Sequence, residues 1–274
     1  MTKYRPRIVH GDSRLLLYGS PQQMFQDNCF DLVFADPPFN IGYAYDEYDD
    51  KVSPEMYLAW SRIWMRRVFR VLRPGGAFWL AIGDEYAAEL LVTAKTVGFE
   101  LRSWCVWYYT FGVHCIRKFA RSHTHLLYMV KPGKQVTWNG DPVKVPSARQ
   151  RKYRDKRAAP GGRIPDNVWI LDPGEVPAFS TATRSEHDVW FVPRVAGTHR
   201  ERDGFHGCQM PEAVLTRILL SCTNTCDRVL DPFAGSGTTL VVSRKLGRRS
   251  VGIELSGSYC NRIRRRLERD GCKF

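Results

Sequence analysis

Apolar and polar positions alternate along the chain in two different periods. Ile8-Val9-His10 and Asp31-Leu32-Val33-Phe34-Ala35 are brief apolar runs followed by turn residues, and they predict short buried strands. Residues 54–72 carry Met56, Trp60, Ile63, Trp64, Val68 and Val71 at three- and four-residue spacings. That spacing predicts one face of a helix starting at Pro54, with Ser53 as its N-cap. Arg73-Pro74-Gly75-Gly76 stops the helix, and Ala77-Phe78-Trp79-Leu80-Ala81-Ile82 forms the next strand. Asp84 is placed to cap a further helix running to about Val97 and ended by Gly98. Strands alternating with helices through residue 131 imply a parallel sheet with right-handed crossovers.

Residues 132–205 break that rhythm. Pro and Gly are frequent, helical periodicity disappears, and short aromatic segments such as Asn167-Val168-Trp169-Ile170 and Asp188-Val189-Trp190-Phe191 replace it. This stretch reads as an irregular insert with its own function. From about residue 206 the α/β rhythm returns: a helix around 211–222, a strand at 228–231, and a helix to 246 closed by Gly247. A strand at 250–254 and a basic helix complete the chain. No internal repeat is present.

Composition narrows the class. No apolar run approaches the ~18 residues of a membrane span, and Met1-Thr2-Lys3-Tyr4-Arg5 has no apolar core behind it to form a secretory signal. None of the eight cysteines belongs to a C-x-x-C pair, and Cys222 with Cys226 has no matching pair elsewhere. That pattern argues against structural zinc and for reduced thiols in a cytoplasmic protein. The chain carries a net charge of +13, with 41 Lys and Arg against 28 Asp and Glu. An excess of this size suits a polyanionic partner through counterion release. Arg149, Arg151, Lys152, Arg154, Lys156 and Arg157 crowd one short stretch of the insert, and Arg262, Arg264, Arg265, Arg266 and Arg269 lie on the last helix.

Two motifs carry chemistry. Val229-Leu230-Asp231-Pro232-Phe233-Ala234-Gly235-Ser236-Gly237-Thr238-Thr239 reads as a strand, a tight glycine turn and a helix start. Glycines let backbone approach a ligand closely, and a helix N-terminus offers unpaired N–H groups. No Lys follows Gly237, which disfavours a triphosphate loop, and a dinucleotide fold would place another glycine near Leu240. Glu254 ends the next strand, where an acid can accept hydrogen bonds from ribose hydroxyls, so the pair suits a nucleoside cofactor. The second motif, Asp36-Pro37-Pro38-Phe39, ends the strand 31–35 in a stiff turn. The amino group of a base is a poor nucleophile because its lone pair is delocalised into the ring. A carboxylate and a carbonyl that both accept its N–H bonds draw it toward tetrahedral geometry. Asp36 and the Pro37 carbonyl can supply that pair, and Phe39 an aromatic face for a base rotated out of the duplex.

Asp36-Pro37-Pro38-Phe39 resembles the catalytic motif of amino-DNA methyltransferases, and Asp231 through Thr239 resembles their S-adenosylmethionine motif. The order, catalytic motif first, target-recognition insert next and cofactor motif last, is that of the β class. His206-Gly207-Cys208-Gln209-Met210-Pro211-Glu212 is similar to the family's H-P-x-Q segment, although Gly207 stands where proline is usual. His10-Gly11-Asp12-Ser13 is similar to its strand-end G-D. Thr124 replaces the family's usual Glu after a His. The resemblance covers 1–131 and 206–274. It implies a permuted Rossmann-like α/β sheet, mostly parallel, with one reversed strand formed by the segments near 99–108 and 122–130. It implies S-adenosylmethionine as cofactor and no metal. Asp231, Phe233, Ala234, Gly235, Ser236, Gly237 and Thr238 would line the methionine part, Glu254 would hold the ribose, Asp12 and Ser13 would flank the adenine, and Gln209 is a candidate for the methionine carboxylate.

The implied reaction is methyl transfer to adenine N6 of a flipped-out base in duplex DNA; outside the resemblance, the charge of the cluster Arg149 to Arg157 predicts that it contacts phosphates. Cytosine-N4 enzymes more often carry Ser in place of Asp36, and a cytosine-C5 enzyme needs a cysteine that typically follows proline, a pair absent here. A DNA-binding protein that kept the fold without the activity is the competing class. A nicotinamide oxidoreductase would leave Asp-Pro-Pro-Phe unexplained. The resemblance leaves a homodimer and a cognate restriction endonuclease as further partners, neither marked by any segment.

Overall fold

The computed structural model describes residues 4–19, 24–113, 115–117, 119–151, 153–170, 195, 201–203 and 208–272. In chain order its elements are β1 (Arg7–His10), α1 (Ser13–Leu16), β2 (Phe30–Ala35), α2 (Pro54–Val71), β3 (Leu72–Ile82), α3 (Ala87–Val97), β4 (Glu100–Val113) and β5 (Arg121–Val130). Then come α4 (Ala148–Arg151), β6 (Val168–Ile170), α5 (Glu212–Cys222), β7 (Arg228–Asp231), α6 (Thr238–Lys245), β8 (Arg249–Glu254) and α7 (Gly257–Arg269).

The strands form one sheet in the order β1-β8-β7-β2-β3-β5-β4-β6. β5 is antiparallel to both β3 and β4, so among the described strands it alone is reversed, while β4, the other segment expected in the reversed strand, runs with the rest because it pairs antiparallel to β5. This is the permuted α/β sheet expected from the motif order. Side chains of β2 and β3 alternate between two cores, as the pleat requires. Leu32, Phe34, Ala77, Trp79 and Ala81 pack with α5 residues Val214, Leu215 and Ile218 on one face. Val33, Ala35, Phe78, Leu80 and Ile82 pack with α2 and α3 on the other. Leu240 and Val241 of α6 meet Ile263 and Leu267 of α7 in a third cluster beside them.

Two local readings are corrected. First, α2 begins as expected, with the Ser53 hydroxyl accepting from Met56 N–H at 3.3 Å. Its buried face is Tyr57, Ser61, Trp64, Met65, Val68 and Val71, however, while Met56 and Ile63 are exposed. Spacing alone admits a face rotated by one position, and the two-sided aromatic packing of Tyr57 and Trp64 selects the other. Second, Asp84 does not cap α3. That helix starts at Ala87 behind Tyr86 with no side-chain cap, and the Asp84 carboxylate is instead ion-paired with the Arg121 guanidinium, 2.5 Å from Nε. The insert, for its part, contributes to the sheet. Val168–Ile170 joins it as edge strand β6. Val143 and Val145 are buried, and Asn139 Nδ2 donates to the carbonyls of Leu220 and Thr223 at the end of α5. The segment Asp188–Phe191 lies outside the described residues.

Candidate active site

Parallel pairing places the ends of four strands on one edge. β2 pairs with β7 through Leu32↔Val229 and Val33↔Leu230, β7 with β8 through Asp231↔Gly252, and β8 with β1 through Glu254↔His10. Their carboxyl ends open onto one cavity lined by Asp12, Asp36, Phe39, Asp231, Gly235 and Glu254, among others. The two motifs, nearly two hundred residues apart in sequence, therefore face the same space at the point where the strand order reverses.

Each motif is held by neighbours that the sequence did not mark. Tyr57 of α2 donates its hydroxyl to the Pro38 carbonyl at 2.7 Å, tying the proline turn to the core. Behind Phe39 the chain turns at Asn40, whose φ is 58°. The buried Asp50 carboxylate accepts from the backbone N–H groups of Asn40, Ile41 and Tyr43 at 2.7, 3.2 and 2.9 Å. One carboxylate thus folds the whole loop. The loop carries Tyr43, Tyr45 and Tyr48 to the cavity wall, with ring centroids of Tyr43 and Tyr45 4.8 Å apart and Tyr48 5.6 Å from Trp60. Asp46 closes it against α7, accepting from Ser258 Oγ at 2.9 Å.

The glycine turn is built for close approach. Gly237 sits at φ 77°, and a Cβ there would meet Ile263 Cγ2 at 2.6 Å, so α7 packs directly on it. Gly252 likewise leaves room for Leu240 Cδ1 at 2.7 Å. Gly237 does not line the cavity; its neighbours Gly235, Ser236, Thr238 and Thr239 do. Arg266 is buried behind the turn and donates to Ser236 O and Thr238 Oγ1, each at 3.0 Å. The same guanidinium pairs with Asp203 at 3.1 Å and Glu212 at 3.3 Å. Arg266 is therefore internal wiring and not part of a solvent-facing basic surface, and Arg269 also pairs with Asp203.

The other expected cofactor residues divide. Asp12 caps α1 by accepting from Arg14 N–H at 2.7 Å and pairs with the Arg14 guanidinium at 2.6 Å. Burial works to raise its pKa, but the Arg14 bonds prevail and hold it below the usual carboxylate range. Asp12 and the buried Ser13 both line the cavity. Glu254 accepts from Gly235 N–H at 2.8 Å and Ser256 N–H at 2.9 Å. Gln209 turns away: its amide donates to Glu201 O at 2.6 Å and its carbonyl accepts from Asp203 N–H at 3.1 Å. Those backbone groups claim the side chain, while Cys208 and Met210 on either side line the cavity instead. His206 and Gly207 lie outside the described residues.

Three acids at one edge are raised, each chiefly by burial. Asp36 is pushed up to about 8, first by desolvation and second by the charge of Asp231. Asp231, which accepts from Phe233 N–H at 3.0 Å, is pushed up to about 7, chiefly by burial, with Glu254 contributing. Burial also raises Glu254. Such an edge favours a cationic or hydroxyl-bearing ligand, whose charge or donors relieve the crowded carboxylates. S-adenosylmethionine, with a sulfonium, an ammonium and ribose hydroxyls, fits that donor set. Among the described residues no group of three or more His, Cys, Asp or Glu is arranged to hold a metal.

The sequence agrees with the geometry. Residues 30–265 match the model of the N6/N4 methyltransferase family, described as DNA methylase. The chain belongs to that family. It is 30% identical over 260 residues to the type II methyltransferase M.HpaI of Haemophilus parainfluenzae, covering 94% of this chain and 74% of that protein. It is 31% identical over 269 residues to the DNA adenine methyltransferase YhdJ of Escherichia coli K12, covering 95% and 82%. Its fold matches the crystal structure of the M1.HpyAVI–SAM complex with a TM-score of 0.61 at 19% identity, covering 96% and 99%. The chain is thus an S-adenosylmethionine-dependent DNA methyltransferase of the N6/N4 type. No described helix is long and apolar enough to cross a membrane.

The crowded acids give this methyltransferase a pH signature. A carboxyl whose folded pKa stands above its unfolded value costs nothing below the unfolded value, near 3.8, and its full penalty above the folded one, about 8. Asp36→Asn removes that penalty. Its thermal midpoint should exceed wild type at pH 8.5, by about 2–4 °C per kcal/mol relieved, and the gain should shrink steadily toward pH 5. Scanning calorimetry at the two pH values measures it, and an equal shift at both contradicts the assigned titration.

Proposed function

We propose that this methyltransferase acts on adenine N6 in duplex DNA, with Asp36 and the Pro37 carbonyl as the acceptors that orient the amino group. The observation that carries this reading is Asp36 at the end of β2, facing Asp231, Gly235 and Glu254 across a single cavity. S-adenosylmethionine supplies a methyl group already activated by its sulfonium. Asp231 through Thr238 form the wall for its methionine part, with Gly237 acting by packing against Ile263. Glu254 takes the ribose and Asp12 with Ser13 the adenine side, while Gln209 positions the 201–203 segment instead of the methionine carboxylate. Phe39 offers its ring to the extruded base. An acid at position 36 favours adenine over cytosine, and a DNA adenine methyltransferase among the relatives supports the same choice.

Within the insert, 132–205, the basic stretch is assigned to DNA phosphates. Arg154, Lys156 and Arg157 are exposed. Arg149 and Arg157 share Asp155, at 3.6 and 3.0 Å, so part of the charge is already balanced. The side chain of Arg151 and all of Lys152 lie outside the described residues.

Methylation of mixed-sequence DNA with a labelled donor, followed by nucleoside analysis, should yield N6-methyladenine; N4-methylcytosine would reverse the assignment of base. Asp36→Ala should abolish transfer with donor affinity largely kept, whereas Glu254→Ala should lose donor affinity at least about tenfold, which is about 1.4 kcal/mol. Titration calorimetry beside turnover separates the two, and the opposite pattern removes both roles. Replacing Arg149, Arg154, Lys156 and Arg157 by Gln should flatten the salt dependence of DNA binding by about 0.9 in log–log slope for each phosphate that is no longer neutralised. An unchanged slope takes the phosphates away from this stretch.

A further inference from the structure

The hairpin joining β4 to β5 overhangs the catalytic edge. β3 ends at Ile82, which pairs with His125, but β5 begins at Arg121, so residues 121–124, still paired with β4, extend past the end of β3. Ala35, the residue before Asp36, pairs with Leu80 near the same end of β3. The Asp-Pro-Pro-Phe turn and the hairpin thus leave the sheet on one side. They meet around Gly83: a methyl group placed on it would lie 3.3 Å from Phe39 Cδ2 and 3.7 Å from Arg121 Nη1. Arg121 is bonded to Asp84 and Glu85, which anchors the hairpin base beside the catalytic turn. An irregularity in register between Tyr108 and Val113 bends the strand as it leaves.

The tip presents side chains that no part of the scheme above employs. Phe119 is 100% exposed and Ile116 92% exposed, the highest values among the large apolar side chains of the described residues, and Arg117 between them is exposed as well. From Cys115 to Ala120 the sequence holds Arg117 and Lys118 and no acid. An apolar tip with cationic flanks is matched by stacked bases bordered by phosphates, not by the apolar surface of another protein.

We propose that this tip enters the DNA duplex beside the target base, Phe119 stacking in the gap left when the base rotates out and Arg117 lying against the adjoining phosphate. Unpairing and unstacking a base is the energetic obstacle to bringing it to Asp36. An aromatic ring in the vacated space restores stacking to the neighbours and keeps the base from returning. Phe119 is a positioning residue in this scheme, because it acts on the duplex and not on the reacting atoms. The inference rests on the reading that duplex DNA is the substrate.

The test uses duplexes containing the site that the wild-type protein methylates, with the target base either correctly paired or opposite a mismatch. Phe119→Ala should lower kcat/KM on the paired duplex at least about tenfold, and the loss should fall to about threefold or less on the mismatched one, where unpairing is already done. Phe119→Trp should remain within about threefold of wild type on both. Donor affinity and thermal midpoint should stay unchanged, since the ring contacts solvent alone in the free protein. Wild-type turnover by Phe119→Ala on paired DNA, or an equal loss on both duplexes, overturns the inference alone. So does an altered sedimentation coefficient with paired-duplex turnover intact, which would assign the tip to a protein contact. A wild-type protein that binds S-adenosylmethionine yet methylates no DNA overturns the functional reading and this inference with it.

Discussion

The parallel pairing of β2 with β7 is the contact on which the molecule depends. Leu32, Val33, Val229 and Leu230 are fully buried along this seam, and they join strands almost two hundred residues apart in the chain. Closing so long a loop costs entropy that grows only slowly with length, and apolar burial on both faces of the two strands offsets it. The same seam has a cost at its end. It delivers Asp36 and Asp231 to adjacent strand ends, where burial, aided by the charge of Asp231 on Asp36 and of Glu254 on Asp231, pushes both carboxyls far above their ordinary range. A fold selected for stability alone would not put them there, so the cost identifies the edge as functional.

Around that seam the working loops are held by few, highly bonded polar side chains. Asp50 gathers three backbone N–H groups behind the catalytic turn, Tyr57 holds the Pro38 carbonyl, and Arg266 joins the glycine turn to Asp203 and Glu212. Charge-assisted bonds to backbone fix a loop with few side chains, and they leave the cavity-facing groups available to a ligand. Arg266 has a second consequence. Because Asp203 lies where the chain returns from the insert, this buried network physically links that return to the turn assigned to the methyl donor.

The basic excess divides into two populations. Arg266, Arg269, Arg73 and Arg121 are drawn into ion pairs that organise the fold. Arg117, Arg154 and Lys156 stay at the surface, on the hairpin tip and in the insert. Counting cations indicates a polyanionic partner, but only their separation into these groups shows where that partner can be met.

The sequence alone determined the fold class, the strand-by-strand order of both halves and the two motifs. Each is a local pattern: apolar runs of strand length, a helix cap at Ser53, a glycine turn, and a double proline after a buried strand. Tertiary structure decided the rest, because the deciding contacts join residues that share no local pattern. Arg121 takes Asp84 from its expected cap, Glu201 and Asp203 take Gln209 from the cavity, and β6 draws part of the insert into the sheet. Nothing in the spacing of Tyr57, Asp50 or Arg266 signals what each holds, since a side chain's partner across the core depends on how the helices dock, and periodicity specifies the face of a helix only to within one position.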